Sequence, residues 1–157
     1  MDAVSLRTAC EADREFLLSV YASTRLDELA CVPWSEAQKA AFLRMQFDAQ
    51  DADYRSKYPP GDFQVLLSDG IPAGRLILHH AGTRINIVDI SILPEFRGRK
   101  IGSHILADIV EKADTHGKAI VAHVEKGNRA RGFYSRFGFQ EVEDLGVYLR
   151  LHREPAL

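Results

Sequence analysis

Hydrophobic residues recur at helical spacing in the first third of the chain and at strand spacing after it. Residues 11–21 carry apolar positions at intervals that predict one buried helical face. Ser35 is a candidate cap for a second helix, because Gln38 stands three residues on as a capping-box partner. The apolar face predicted for this second helix consists of Ala41, Phe42, Met45 and Ala49.

The helical pattern stops at residues 58–62, where two prolines and a glycine interrupt it. Beyond this break, two strand-like runs flank Asp69-Gly70, a strong hairpin turn pair. Residues 84–92 predict a longer strand whose alternation slips near Val88, through either a bulge or burial on both faces. This succession predicts an α/β fold, with a mixed sheet and helices on both of its faces. The predicted strands are residues 4–7, 63–67, 75–78, 84–92, 119–122 and 147–151, and the later helices are residues 101–110 and 128–137.

The length and composition of the chain point to one soluble globular domain. Its 157 residues are 46% hydrophobic and 27% charged, and the formal charge of −2 gives no basic excess that favours nucleic acid. No apolar run approaches about 18 residues, so we predict no membrane span. Cys10 and Cys31 form no CxxC pair, and the N-terminus has no signal-peptide pattern. We therefore expect a cytoplasmic protein.

The most informative segment is the polar turn at residues 94–100, which lies between a strand and a helix. The first backbone amides of a helix have no partner and carry partial positive charge. Arg97, Arg99 and Lys100 add three cations, and Gly98 allows close approach of a ligand to the backbone. Together they predict a phosphate cradle, with a solvated basic turn as the alternative. The glycine patterns of Walker and dinucleotide-binding loops are absent.

A second segment, residues 128–139 (NRARGFYSRFGF), follows the buried strand predicted at residues 119–122. Asn128 is placed to cap a helix, and the phenylalanines are expected in the core. Tyr134 follows Phe133 and is expected to point to a different side of that helix.

Residues 92–103 (ILPEFRGRKIGS), followed by residues 128–139, resemble the motifs of the GNAT acyl-CoA N-acyltransferases. The resemblance extends from about residue 63 to residue 151 and implies a mixed, mostly antiparallel central sheet of about six to seven strands. It also implies a single domain over residues 1–157. Residues 1–60 would form a helical region on the acceptor side, and residues 61–157 a core that binds coenzyme A.

The resemblance implies acetyl-CoA as co-substrate. Backbone amides at residues 97–103 would hold the diphosphate, whereas Ile92, Leu93 and Asn128 would bind the pantetheine arm. Lys100 stands where the family has a glycine, and we expect it within the first helical turn, with an ordinary backbone conformation. The residues assigned to the cofactor are Ile92, Leu93, Arg97, Gly98, Arg99, Lys100, Ile101, Gly102, Ser103, Asn128, Phe133 and Tyr134.

The implied reaction is direct attack of a primary amine on the thioester within a ternary complex. Tyr134 matches the family's general acid, which protonates the departing thiolate. Asp89 is the predicted base, acting directly or through water. His123 and Glu125 compete for that role, and an exposed channel without a dedicated base is the remaining alternative. The sequence has no HExxH motif and no Cys/His metal-binding spacing, so we predict no metal.

The acceptor is expected to be a small-molecule or peptide amine, with neither nucleic acid nor membrane as partner. A homodimer is possible at the level of the family. Two other functions remain open: an acyltransferase that uses a longer acyl-CoA, and a CoA-binding regulatory or interaction module with a degenerate site.

Overall fold

The computed structural model describes residues 3–126 and 130–156 of the chain. Most segments predicted as strands and helices form those elements. The strand predicted at residues 75–78 extends over Ile71–Ala81, the helix predicted from Glu11 begins with a 3-10 turn at Glu11–Asp13, and the helix Leu26–Ala30 was not predicted. The strands are β1 Val4–Thr8, β2 Phe63–Ser68, β3 Ile71–Ala81, β4 Arg84–Ile92, β5 Ala119–Glu125, β6 Gln140–Asp144 and β7 Tyr148–Arg153. The α-helices are α1 Arg14–Ser23, α2 Leu26–Ala30, α3 Glu36–Lys57, α4 Ile101–Thr115 and α5 Ala130–Arg136.

Seven strands in the described part of the chain form one sheet, in the order β1-β2-β3-β4-β5-β7-β6. β4 and β5 run parallel, whereas β1 with β2, β5 with β7, and β6 with β7 are antiparallel. The predicted mixed, mostly antiparallel sheet is therefore confirmed. The sequence prediction missed β6, because all its residues are exposed and a register shift between Glu141 and Glu143 interrupts its alternation.

The β2–β3 hairpin turns at Asp69 and Gly70, as predicted. Both residues have positive φ angles, 51° and 80°. Such turns match the right-handed twist of the flanking strands, and Asp and Gly tolerate the left-handed region better than other residues. The dipeptide therefore fixes the register of the hairpin.

The N-terminus of α3 is confirmed, but its predicted apolar face is wrong. The Ser35 side chain accepts a hydrogen bond from the Gln38 amide, and the Gln38 side chain accepts one from the Ser35 amide. The buried positions are Leu43, Phe47 and Asp51. Of the predicted face, Ala41, Met45 and Ala49 are exposed and Phe42 is half-buried.

Asp51 explains why the apolar pattern of α3 misled the prediction. Its carboxylate lies within 3.0 Å of an Arg14 nitrogen and 3.1 Å of the Arg55 Nε atom. These cations allow a charged side chain to occupy a buried position of the helix. The buried face of α3 therefore includes an aspartate, so a search for apolar residues alone does not identify that face.

The chain forms two compact units. One comprises Met1–Leu76 and Ile90–Arg99, and the other comprises Ile77–Asp89 and Lys100–Leu157. In the first unit the aromatic rings of Tyr21 and Phe47 lie 6.0 Å apart within a hydrophobic cluster. The other members of that buried cluster are Leu17, Leu29, Leu43 and Val65.

The core of the second unit includes the apolar stripe of α4. Four of the five positions predicted for this stripe are buried, and Val110 is half-buried. Arg153 of β7 connects the strand to α4, because its guanidinium lies 2.8 Å from an Asp114 oxygen. The four buried positions are Ile101, Ile105, Leu106 and Ile109.

Candidate active site

The ladder between β4 and β5 ends before either strand does. Its pairs run from Arg84 with Ala119 to Ile87 with Ala122. Among the described residues, no further pair joins these strands, although Asp89 belongs to β4 and β5 continues to Glu125. The backbones of the two strands therefore stop pairing at this point.

The surroundings of β4 change where the ladder ends. Ile85 and Ile87 are buried and alternate with half-buried neighbours, whereas every residue from 88 to 92 is half-buried. The slip predicted near Val88 thus marks the end of one-sided burial.

Tyr134, the predicted general acid, lies in α5 and is buried. Its side chain is 4% exposed, and its ring lies edge-on to Phe133 at 5.6 Å and to Phe139 at 5.1 Å. Burial and the negative charge of Asp89 both raise the pKa of the Tyr134 phenol above its usual value. The phenol is therefore protonated at neutral pH, as an ordinary tyrosine is, so it can act as a proton donor.

The position of Tyr134 differs in one respect from the prediction. We expected the phenylalanines to fill the core and the tyrosine to point elsewhere, yet Tyr134 is more deeply buried than Phe133 and Phe137. The negative charge of Asp89 acts on the Tyr134 phenol, so the two residues predicted to be catalytic interact electrostatically; their catalytic roles stay predictions.

The expected backbone conformation of Lys100 is wrong. Its φ and ψ angles are 63° and 19°, in the left-handed region, and it is the N-cap of α4. A residue with a Cβ atom is disfavoured there by roughly 1–2 kcal/mol. The family glycine at this position therefore meets a real conformational need, and Gly98, with φ 79°, does not replace it.

The N-terminus of α4 is suited to an anion. The Lys100 side chain makes no capping hydrogen bond, and the first turn of this fully described helix holds no acidic residue. The amides of Ile101, Gly102 and Ser103 precede the first intrahelical bond, which His104 donates to the Lys100 carbonyl. These three N–H groups and the helix dipole form a site of partial positive charge.

The turn before α4 is held by its own contacts. Arg97 donates from Nε to the Ile92 carbonyl at 3.2 Å, and the Arg99 guanidinium lies 5.2 Å from the centre of the Phe96 ring. Arg97 and Arg99 are both exposed. Their positive charges therefore remain accessible beside the turn.

The backbone of Leu93 is already engaged, which corrects part of its predicted role. Its N–H donates to the Ala73 carbonyl at 2.8 Å, and its carbonyl accepts from the Phe96 N–H at 3.0 Å. The Leu93 amide is therefore not available as a strand-like donor to a pantetheine arm. Ile92 retains its place at the end of β4.

Sequence reasoning missed Gly74, which supports this end of β4. A Cβ atom at Gly74 would lie 2.2 Å from the Ser91 carbonyl oxygen, a separation that the backbone cannot tolerate. Only glycine permits this close approach of β3 to β4. The predicted strand begins at residue 75, so Gly74 lies outside that prediction, although it lies within β3.

The remaining predicted residues have different outcomes. Asn128 lies outside the described residues. Phe133 is half-buried and contacts Tyr134. His123 is exposed and Glu125 half-buried, both beyond the last residue of β5 that pairs with β4.

The sequence matches a family model described as the acetyltransferase (GNAT) family over residues 24–139. The chain belongs to the GNAT acetyltransferase family. No curated protein matches the chain. Among the described residues, no helix has both the length and the apolar character of a membrane span, and no three His, Cys, Asp or Glu residues group to hold a metal.

Solved structures show the same fold at low identity. The PaiA N-acetyltransferase of Thermoplasma acidophilum, in complex with coenzyme A, is 19% identical with a TM-score of 0.71, covering 97% of this chain and 99% of that one. Ard1 of Thermoplasma volcanium is 17% identical with a TM-score of 0.61, covering 99% of each chain. The N-acetylglutamate synthase of Neisseria gonorrhoeae, complexed with coenzyme A and N-acetyl-glutamate, is 18% identical with a TM-score of 0.63. That match covers 100% of this chain and 36% of the synthase.

Proposed function

We propose that this protein transfers an acetyl group from acetyl-CoA to a primary amine of a small molecule or peptide. The observation that carries the proposal is the N-terminus of α4, which has no side-chain cap and no acidic residue in its first turn. The three cations of the preceding turn complement a diphosphate. The family, and the coenzyme A in two structures of the same fold, support this cofactor.

The amides of Ile101, Gly102 and Ser103 hold the diphosphate, with Arg97, Arg99 and Lys100 adding charge; the Arg97 amide, predicted as a further donor, instead donates to the Pro94 carbonyl at 3.1 Å. The pantetheine arm extends toward the end of the β4–β5 ladder, where Ile92, Asn128 and Phe133 are its proposed contacts. Residues 61–157 form the cofactor-binding core and residues 1–60 the acceptor side of a single domain. A cytoplasmic location and a homodimer stay predictions.

Tyr134 donates its proton to the sulfur as the C–S bond breaks. A thiolate is a moderately strong base, with a pKa near 8.5 for an ordinary thiol, so a nearby protonated phenol assists its departure. General acid catalysis of this kind is worth about 10²–10⁴-fold in rate. A tyrosine phenol carries its proton at neutral pH, so Tyr134 begins the reaction in the protonated form.

The role of Asp89 as the base stays a prediction. Asp89 has a second role if its negative charge, which raises the pKa of the Tyr134 phenol, sets the acid strength of that phenol. Replacement by asparagine separates the two roles. Loss of the base removes the acidic limb of the pH profile of kcat/KM, whereas loss of the electrostatic effect leaves that limb in place.

The test of the function begins with the wild-type protein. Acetyl-CoA is titrated by calorimetry, and thiol release is measured with spermidine, L-lysine and a peptide that has a free N-terminus. We expect micromolar to millimolar binding and acetyl transfer to at least one amine. Absence of binding heat would remove the cofactor assignment and the enzymatic function with it.

Tyr134→Phe then tests the acid. We expect kcat to fall by about 10²-fold or more while the KM for acetyl-CoA changes little, because the ring and its packing remain. Tyr21→Phe is the matched control, since Tyr21 is also buried but belongs to the core of the first unit. Unchanged turnover in Tyr134→Phe would exclude the acid role.

The other functions correspond to different outcomes of the same assay. Binding of acetyl-CoA without transfer to any amine would identify a CoA-binding module. Faster turnover with propionyl-CoA or a longer donor than with acetyl-CoA would identify a longer-chain acyltransferase.

A further inference from the structure

One face of the sheet in the second unit is covered by helices. Ile120 of β5 pairs with Arg153 of β7, so the two side chains share a face. Arg153 binds Asp114 of α4 and donates from Nε to the Phe137 carbonyl at 2.8 Å, just beyond the end of α5. The helix that carries Tyr134 therefore lies on the face of Ile120.

His123 lies on the opposite face of the same strand. Ala122, two residues after Ile120, shares the helix-covered face, so its neighbour His123 points away from the helices. His123 pairs with Arg150 of β7, and Arg150 pairs with Glu143 of β6, which places all three on the face opposite α4 and α5. His123 also directly follows Ala122, the last residue of β5 that pairs with β4.

We propose that His123 is the base that removes a proton from the substrate ammonium, on the face of the sheet opposite Tyr134, with Arg150 as a positioning residue. This assignment rests on the proposed function. It places the proton donor for sulfur and the proton acceptor for nitrogen on the two sides of the point where β4 and β5 cease to pair.

The proton transfers balance as follows. The ammonium gives one proton to His123, and the free amine forms a bond to the thioester carbon. The C–S bond breaks, and the sulfur takes the proton of Tyr134. The nitrogen then loses its second proton, which returns through water to the Tyr134 phenolate, and His123 releases its own proton to water.

A base is required because an alkyl ammonium is rarely neutral. With a pKa near 10.4, about one such amine in 2,500 is unprotonated at pH 7. An imidazole is a stronger base than a carboxylate and lies closer to the operating pH, which favours His123 over Asp89 and Glu125. Asp89, in addition, acts on Tyr134, the acid of the opposite face.

The charges around His123 keep its ring available as an acceptor. Partial burial and the positive charge of Arg150 lower the pKa of His123, while Glu143 acts in the opposite direction. Glu143 is 3.6 Å from Arg150, and the buried Arg150 Nε atom has no acceptor among the described residues, so the charge of Arg150 is only partly offset. The titratable and charged groups that the described pairings of β4 to β7 place on this face are Arg84, His123, Glu125, Glu143, Tyr148, Arg150 and His152.

The test measures kcat/KM against pH with acetyl-CoA and whichever of spermidine, L-lysine or the peptide the wild type uses best. His123→Gln is expected to lower kcat/KM at pH 7 by about 10²-fold or more. Its kcat/KM should recover as the pH approaches the pKa of the substrate amine, because the amine is then neutral without a base. Arg150→Gln is expected to move the acidic limb to higher pH, because it removes a charge that disfavours imidazolium. Glu143→Gln is expected to move that limb to lower pH.

Controls separate this inference from the proposed function. His116→Gln is the matched variant, because His116 is exposed at the far end of α4, and its profile should equal that of the wild type. Calorimetry with acetyl-CoA should give the same affinity for His123→Gln and wild type. A His123→Gln profile that retains the acidic limb, or an Asp89→Asn profile that alone loses it, overturns the assignment. A wild type that binds no acetyl-CoA overturns the proposed function instead.

Discussion

Lys100 occupies a backbone conformation that suits glycine, at the residue that begins α4. Its positive φ places its Cβ atom close to the following carbonyl oxygen. The free-energy cost of this conformation is confined to Lys100. Its side chain adds a cation next to the amides that are proposed to bind the diphosphate. The residue therefore combines conformational strain with charge in one position.

Lys100→Gly should stabilise the protein by about 1 kcal/mol, since relief of roughly 1–2 kcal/mol of strain exceeds the entropy cost of glycine. The affinity for acetyl-CoA should fall by no more than about tenfold, or 1.4 kcal/mol, because the backbone amides remain. Urea denaturation and calorimetry measure the two effects. Arg99→Gly is the control, as Arg99 has no positive φ and should gain no stability. If Lys100→Gly no longer bound acetyl-CoA at all, the backbone amides would be insufficient and the Lys100 ammonium would be required for binding.

At the scale of the element, α3 depends on the face that its tertiary neighbours select. Phe47 is 1% exposed, whereas Met45, two residues away, is 60% exposed. The Phe47 ring packs against Tyr21, and the Arg14 guanidinium lies 5.4 Å from its centre. The energetic value of an apolar residue in this helix therefore depends on its angular position.

Phe47→Ala should lower the free energy of unfolding by about 3–5 kcal/mol, because it leaves a cavity in the core of the first unit. Met45→Ala, on the same helix, should change it by no more than about 0.5 kcal/mol. Urea denaturation of the two variants gives the comparison. Equal effects would contradict the observed face of α3.

At the scale of the whole molecule, acid stability depends on carboxylates that the fold has paired. Asp13 accepts from both terminal nitrogens of Arg7 and from the Cys10 amide, each at 2.8 Å. These bonds hold the pKa of Asp13 well below its ordinary value. They connect β1 to the segment that precedes α1.

A carboxyl whose pKa is depressed by folding adds stability above its unfolded pKa and loses that contribution as the pH falls toward its folded pKa. The free energy of unfolding should therefore decline below about pH 5. Asp13→Asn should be less stable than wild type at pH 7 and should show a shallower decline toward pH 2. Urea midpoints across this range measure the slope. Asp53→Asn is the control on the exposed surface of α3, and a slope for Asp13→Asn equal to that of wild type would contradict the assignment.

The sequence by itself determined the features that depend on near neighbours. The Ser35–Gln38 box, the proline break after α3 and the Asp69-Gly70 turn each involve residues within a few positions of one another. The apolar stripe of α4 and the two motifs of the family are local as well. Such features are fixed by backbone sterics and short-range hydrogen bonds, so they can be predicted from the order of residues.

Only the tertiary structure decided the features that depend on distant partners. Asp51 is buried because Arg14, 37 residues away, reaches it, and the Leu93 amide is engaged because Ala73 of β3 lies beside it. The pKa of Tyr134 depends on Asp89, and His123 is directed away from that pair by the register of β5 with β7. Burial, charge pairing and the choice of face arise from groups brought together in space, and no local pattern encodes them.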